Sequence, residues 1–172
     1  GFYFTSKDGE DLITRQKEIY DGAIPSGNSA SMLNLLRLSQ ITGDQEYERK
    51  ADIISRVFAE SVRNNPSAHA FLMISVDFAV GPTYSLVISG DTGKEDTIKL
   101  LESIRKEFLP NKTLIHRATE QNMPPIDEIV DYVAFFDKYL DKATAYVCIN
   151  KACKLPTNEI EKMIEYLNPG RG

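Results

Sequence analysis

Apolar positions in the first half of the chain recur at helical spacing. In residues 28–41 they fall three or four apart, and Gly43 stands where a left-handed residue closes a helix. Asp44 can cap a second amphipathic helix that runs up to Pro66, and the apolar stretch at 68–79 predicts a third. Because links this short reverse the chain, the pattern predicts stacked antiparallel helical hairpins.

The pattern changes after Gly81 and Pro82, where strand-forming runs begin to alternate with helical ones. The predicted elements are strands at 84–88, 113–115 and 143–149, helices at 97–108 and 158–167, and an amphipathic segment at 129–139. This order is typical of a small, mainly parallel sheet with helices against it. We therefore predict an α+β protein, with helical hairpins in residues 1–82 and a small α/β unit in residues 83–172.

Composition limits the classes of partner and location. The net charge is -5 and the 20 Lys and Arg are interleaved with 25 Asp and Glu, so we expect no nucleic-acid partner. The most apolar stretch, residues 68–80, is too short to cross a bilayer, and two cysteines make no disulfide framework. We expect a cytoplasmic protein without membrane contact. Residues 2–5 read as a strand or an extended arm, which suggests that the chain is part of a longer protein.

The loop at residues 20–29 leads directly into the first predicted helix and is the most distinctive segment. Its glycines allow a ligand to approach the backbone closely, and a helix N-terminus offers unpaired N–H groups. A polar ligand could dock there. Alternatively, Ser26, Asn28 or Ser29 caps the helix while Asp21 bonds to the loop backbone.

Nucleotide binding is not supported by the loop at residues 89–95, although it follows a strand and precedes a helix. Gly90 is too close to Gly93 for a P-loop, and Glu95 follows the lysine where Ser or Thr is needed. A dinucleotide fingerprint is also absent. We therefore expect an ordinary turn here, and we predict no cofactor for the chain.

The two cysteines, Cys148 and Cys153, are separated by four residues in a predicted strand and turn. If the intervening residues form a hairpin loop, the two thiols lie opposite one another at a separation that a disulfide can span. The spacing is not that of thioredoxin-type centres, so a redox pair and buried structural thiols both stay open. A zinc site would have to recruit His69 and His116, and we favour ordinary polar roles for both and predict no metal.

Three sequence segments together resemble a known family. They are FYFT at 2–5, KEIYDGAIPSGNS at 17–29, and ATAYVC at 143–148 followed by Cys153 and Pro156. The chain is similar over almost its whole length to the C-terminal region of the spermatogenesis-associated, thioredoxin-domain-containing proteins. Two departures are that the thioredoxin-like domain is missing and that Gln16 stands where proline is expected.

The resemblance implies a fold and a pocket. That family joins a thioredoxin-like domain to an α/α toroid of helical hairpins, similar to six-hairpin glycosidases and sugar epimerases. In those enzymes loops at one end of the ring line the pocket, which makes Tyr20, Asp21, Ser26 and Asn28 candidate ligand-binding residues. A carboxylate such as Asp21 would need a second acid to act as general acid or base.

Two functions therefore remain open. The first is an incomplete, thioredoxin-linked toroid module with a carbohydrate-related role, in which the intact protein binds a sugar-like small molecule. The alternative is a redox accessory or protein-interaction domain that uses Cys148 and Cys153. The sequence does not decide whether the chain is an enzyme. Helices that lack their toroid neighbours would leave an apolar face bare, so we also expect the isolated chain to self-associate.

Overall fold

The fold is α+β, as the sequence predicts. The structure is a computed structural model that describes residues 1–9 and 13–168. Within these residues it contains six α-helices and one four-stranded sheet. The chain divides into two compact units, Gly1–Val80 and Gly81–Gly172.

The first unit is helical, and its helix ends follow the local signals in the sequence. Gly43 adopts the left-handed conformation with φ of 75°, and its N–H bonds to the carbonyl of Ser39. Asp44 accepts a hydrogen bond from the N–H of Glu46 and so caps the second helix. The elements are α1 (Gly27–Thr42), α2 (Gln45–Asn64), a 3-10 turn (Pro66–His69) and α3 (Ala70–Val80). The three predicted helices are confirmed.

α1 packs against both α2 and α3, and their apolar faces form the core of this unit. The buried members of this core are Ile19, Met32, Ala51, Ile54, Phe58 and Leu72. α2 is amphipathic, whereas α3 is apolar nearly all round, with Leu72 and Phe78 buried but Ile74 and Val80 exposed. Among the described residues of this unit, none buries Ile74 and Val80, which lie on the second face of α3.

Residues 1–9 form an arm that contains no strand, with bends at Phe4 and Thr5 and a turn at Lys7 and Asp8. Asn28 holds the arm, since its side-chain oxygen accepts from the N–H of Phe2 and its amide donates to the carbonyl of Phe2. Further along, the N–H of Phe4 donates to the carbonyl of Gln16. Of the two expectations for residues 2–5, the structure has the arm.

The second unit contains the sheet. Its elements are β1 (Tyr84–Gly90), α4 (Glu95–Lys106), β2 (Lys112–Ala118), α5 (Pro125–Ile129), a 3-10 turn (Asp131–Phe135), β3 (Thr144–Ile149), β4 (Ala152–Cys153) and α6 (Ile160–Leu167). The strand order is β2-β1-β3-β4. The predicted strands and helices form, and the segment expected to be amphipathic at 129–139 contains a 3-10 turn rather than a long helix.

The sheet is mixed, which corrects the expectation of a mainly parallel one. β1 and β2 are parallel, but β3 is antiparallel to β1, and β4 is antiparallel to β3. The reason is the end of the sheet at which β3 begins. Its first residue, Thr144, pairs with Ser89 near the C-terminal end of β1, and β2 finishes at the same end. A parallel third strand requires the chain to return first to the opposite end of the sheet, and residues 119–143 do not make that return.

Both faces of β1 are covered. On one face its side chains pack against α4 and α6 in a core formed by Leu86, Ile88, Leu100, Ile104, Ala143, Ala145, Val147, Met163 and Leu167. On the other, the hydroxyl of Ser89 donates to the carbonyl of Phe136, whose ring stacks on Tyr146 at 4.4 Å. The irregular segment between β2 and β3 therefore acts as the second cover of the sheet.

Candidate functional site

The carboxylate of Asp21 connects the 20–29 loop to the beginning of α3. One oxygen accepts from the N–H of Ser26 at 2.8 Å, and the other accepts from the N–H groups of Phe71 at 2.9 Å and Leu72 at 3.0 Å. Burial of the carboxylate raises the pKa of Asp21, but the hydrogen bonds from these N–H groups and from Ser29 outweigh it, so the pKa lies below its ordinary value. Asp21 is thus held as an anion with its oxygens engaged.

Ser26 and Asn28 also serve the local backbone. The hydroxyl of Ser26 accepts from the N–H of Ser29 at 3.1 Å, which makes it the cap of α1. Asn28 is buried, and besides its two bonds to the arm it donates to the carbonyl of Glu18 at 2.7 Å. These side chains therefore cap the helix and bond to the local backbone, as the alternative interpretation of this loop predicts.

Tyr20 differs from the other three candidates because its side chain is 60% exposed and lines an open cleft. We call this the arm cleft, and its volume is about 870 Å³. Its walls come from the arm, from the segment that precedes α1, and from the end of α2 with the turn that follows. Lining side chains that bear on ligand chemistry include Phe4, Lys17, Glu18, Tyr20, Ser61 and His69. Asp21, Ser26 and Asn28 support the loop behind Tyr20.

His69 is buried at one side of the arm cleft, where its ring contacts two polar groups. Its Nδ1 lies 3.0 Å from the carbonyl oxygen of Ile19, and its Nε2 lies 3.1 Å from the hydroxyl of Ser61. Sequence reasoning assigned His69 an ordinary polar role and did not identify Ser61. Ser61 and His69 are eight residues apart, with a helix end and Pro66 between them, which is only a weak sequence signal that they are close. No local sequence signal indicates that Ile19 contacts His69.

The hairpin expected around the two cysteines forms in the second unit. Cys148 pairs with Cys153 across β3 and β4, and the two are joined by a disulfide. The turn between them places Asn150 and Lys151 in the left-handed region, with φ of 49° and 67°. Cys153 is the more exposed of the two.

The described residues do not gather the ligands of a metal site. Within this part of the chain no group of three or more His, Cys, Asp or Glu side chains could hold an ion. His116 has its Nε2 3.0 Å from the carbonyl of Gly90, and both cysteines are in the disulfide. None of the helices in the same residues is long and apolar enough to cross a bilayer.

A polar cluster of the second unit surrounds Asp91, which follows β1. Asp91 receives Lys94 at 2.6 Å and Lys138 at 2.9 Å, and the hydroxyl of Thr119 donates to it at 2.7 Å. These hydrogen bonds, that of Lys94 being the largest cause, hold the pKa of the Asp91 carboxyl far below its usual range. Lys138 also contacts Asp141 at 3.0 Å, so two lysines meet two carboxylates, and the cluster fixes the loop between β1 and α4.

Comparison with known proteins gives relatives that match almost all of this chain. Spermatogenesis-associated protein 20 of Homo sapiens is 32% identical over 171 residues, which cover 98% of this chain and 22% of that protein. The protein of the same name from Rattus norvegicus is 32% identical over 161 residues, covering 92% and 20%. An uncharacterized protein of Caenorhabditis elegans is 27% identical over 169 residues, covering 98% and 22%.

The chain spans about a fifth of the length of these relatives, and the match lies in their C-terminal part. No family model and no solved structure matches it. The matched span nevertheless covers 98% of this chain and therefore extends into both units. Over nearly its whole length the chain is therefore similar to the C-terminal part of spermatogenesis-associated protein 20.

Proposed function

We propose that the intact protein binds a sugar-like small molecule in the arm cleft. The observation that carries this proposal is the cleft itself, whose volume of about 870 Å³ lies in the range of small-molecule sites. Its lining combines the exposed ring of Tyr20 with the charged side chains of Lys17 and Glu18. A sugar presents an apolar ring face and a rim of hydroxyl groups, which suit an aromatic surface and polar partners respectively.

In this proposal α1, α2 and α3 are the last helices of a larger α/α toroid, and the arm cleft opens at the pocket end of that ring. The resemblance to six-hairpin sugar enzymes supports it. A second support is the exposed apolar face of α3, with Ile74 at 45% and Val80 at 80% exposure. A helix that is apolar all round is typical of one with neighbours on both sides.

The proposed roles of the four loop candidates follow from their contacts. Tyr20 is the ligand-contacting ring, while Asp21, Ser26 and Asn28 fix the loop that carries it. Asp21 is unsuited to be the general acid of a glycosidase because such a group needs a raised pKa, and that of Asp21 is lowered. The proposal is therefore of binding, with the chemistry supplied elsewhere in the intact protein.

A ligand screen on the full-length protein tests the proposal. Sugars, sugar phosphates and short glycans are examined by ligand-observed NMR, and hits are measured by calorimetry with Tyr20→Ala. Tyr139→Ala is the matched control because Tyr139 is 58% exposed but lies in the second unit. We expect at least one ligand that Tyr20→Ala weakens tenfold or more and that Tyr139→Ala leaves unchanged. A panel without hits, or equal binding by both variants, rejects the proposal.

The Cys148–Cys153 disulfide supports a second candidate function, thiol-disulfide exchange with a partner protein. The family resemblance implies a thioredoxin-like domain in the intact protein, and its thiols are a suitable reductant. We also propose a cytoplasmic location, where the pair would cycle because that compartment keeps thiols reduced. In the reduced chain the exposed Cys153 would attack a partner disulfide, and Cys148 would resolve the mixed disulfide and release the partner thiol.

Trapping distinguishes this function from a static crosslink. With oxidised glutathione, the reduced Cys148→Ser chain should retain glutathione on Cys153, because the resolving thiol is gone. The reduced Cys153→Ser chain should retain much less, since Cys148 is less exposed. Equal trapping by both variants, or none by either, contradicts a directed exchange.

A further inference from the structure

The geometry around His69 points to a chemically active serine. Ile19 offers only a carbonyl oxygen to Nδ1 of the ring, at 3.0 Å, and a carbonyl can only accept. In the neutral imidazole the proton therefore lies on Nδ1, and Nε2 carries the free lone pair. That lone pair faces the hydroxyl of Ser61 at 3.1 Å, so Ser61 donates its proton to His69.

The hydroxyl of Ser61 does not bond back to a carbonyl of its own helix. In a helix such a hydroxyl commonly bonds back to a carbonyl three or four residues earlier, as Thr42 does to Leu38 at 2.8 Å and Ser55 to Asp52 at 2.8 Å. The hydroxyl of Ser61 instead contacts an imidazole that belongs to the next structural element. Ser61 is exposed and lines the arm cleft, so its oxygen can be reached by a ligand bound there.

A nucleophile, a base within hydrogen-bond reach and a third group that orients the base are the parts of an activated serine. Here they are Ser61, His69 and the carbonyl of Ile19, which takes the place that a carboxylate has in the usual triad. Arg15 and Lys17, whose charged groups lie over the ring of Tyr3 at 4.3 and 4.7 Å, also line the arm cleft and give it positive charge.

We propose that Ser61 is the nucleophile, and His69 the general base, of an acyl-transfer site that takes carboxylic esters. The oxygen of Ser61 bonds to the ester carbonyl carbon while Nε2 of His69 takes the hydroxyl proton. The tetrahedral intermediate breaks its bond to the alcohol, which leaves with that proton, and the acyl group stays on Ser61. Water then adds with His69 again as base, and Ser61 and the carboxylic acid are released.

This inference goes beyond the proposed binding function and does not depend on it. A small phosphonylating probe needs no sugar recognition to react with an activated serine. Fluoride leaves as the oxygen of Ser61 bonds to phosphorus, and His69 takes the proton. Failure of the sugar screen would therefore not count against the reactivity of Ser61. Failure of the labelling would likewise not count against sugar binding.

The test is labelling of the 172-residue chain with a fluorophosphonate, followed by intact mass and peptide mapping. Ser67 is the matched internal control because it is an exposed serine on the adjacent turn whose hydroxyl bonds to the side chain of Asn65 rather than to an imidazole. General-base assistance contributes about 10²–10⁴-fold, so we expect Ser61 to be labelled about 100-fold faster than Ser67 or more. Ser61→Ala should abolish the rapid label, and Ser67→Ala should keep it.

Two further measurements separate activation from simple exposure. His69→Gln should lose the rapid label, and its circular dichroism shows whether the helices are retained. Because His69 is buried and that variant could unfold, labelling of the wild-type chain in urea gives a second comparison that needs no substitution. We also expect the wild type to release 4-nitrophenol from 4-nitrophenyl acetate and to carry an acetyl group on Ser61. Labelling of Ser61 no faster than that of Ser67, or than in urea, overturns the proposal.

Discussion

Replacement of Asp21 by Asn should destabilise the helical unit although it changes a single atom. The carboxylate accepts three backbone N–H groups at 2.8, 2.9 and 3.0 Å. Asn keeps one acceptor oxygen and turns an NH₂ group toward either Ser26 or the N–H pair at the start of α3. Hydrogen bonds to a charged group contribute about 1.5–3 kcal/mol each, and Asp21 is only half-buried, so we expect a loss of about 2–3 kcal/mol in the free energy of unfolding.

The pH dependence gives an independent check of the cause. Because the folded-state pKa of Asp21 is lowered, its contribution is fully present above the unfolded value of about 4 and is lost as pH falls through the folded pKa. The difference between wild type and Asp21→Asn should therefore be constant from about pH 5 to 7. It should shrink below about pH 4, because the wild type then loses the carboxylate as well.

Urea unfolding followed by far-ultraviolet circular dichroism measures this difference. Asp44→Asn is the matched control, since Asp44 also accepts a backbone N–H but Asn caps a helix as well as Asp does. We expect that control to stay within about 0.5 kcal/mol of the wild type. An Asp21→Asn chain as stable as the control at neutral pH would refute the reasoning. A difference that persists unchanged to about pH 2 would show that ionisation of Asp21 is not its source.

Three further outcomes are expected. Gly90→Ala should lower the free energy of unfolding by about 1–3 kcal/mol, because the added Cβ would collide with the side chains of Thr97 and Ala143. Gly27→Ala has open space around it and should be nearly neutral, and thermal melts measure both. Arg117→Met should lower the free energy of unfolding by about 3–5 kcal/mol, because it leaves the buried carboxylate of Asp127 on α5 unpaired. A smaller loss would mean that water reaches that carboxylate. Sedimentation of the isolated chain should show dimers that Ile74→Glu converts to monomers, and a strict monomer before substitution would contradict the use of the bare face of α3.

Helices were predictable because their signals are local. Gly43 and Asp44 mark a helix end and a helix start within two residues, and each acts through groups at most four positions away. The direction of β3 is a different kind of fact. It depends on where residues 119–143 deliver the chain, and periodicity in a strand does not record which end of a sheet it enters from.

The same limit applies to the loop at residues 20–29. The cap of Ser26 on Ser29 spans three residues and follows from composition. The bonds from Asp21 to the start of α3 span fifty residues, and no spacing rule connects those positions. From the sequence, residues 20–29 could be predicted only to resemble a loop that lines a pocket. The contacts now separate Tyr20, which lines the arm cleft, from the residues that hold it there.

Stability and chemistry share the same hydrogen bonds at one place in the helical unit. Residues 19–21 are joined to residues 68–72 by four of them: the carbonyl of Ile19 accepts from His69, the N–H of Asp21 donates to Ala68, and its carboxylate accepts twice from α3. The bond to His69 fixes the tautomer that presents Nε2 to Ser61, and the other three fix the backbone on either side of that ring. The position of Tyr20 is set by its two neighbours in the chain. The proposed ligand surface and the proposed nucleophile therefore depend on the same four hydrogen bonds, because these bonds hold residues 19–21, which include Tyr20, against the turn that carries His69.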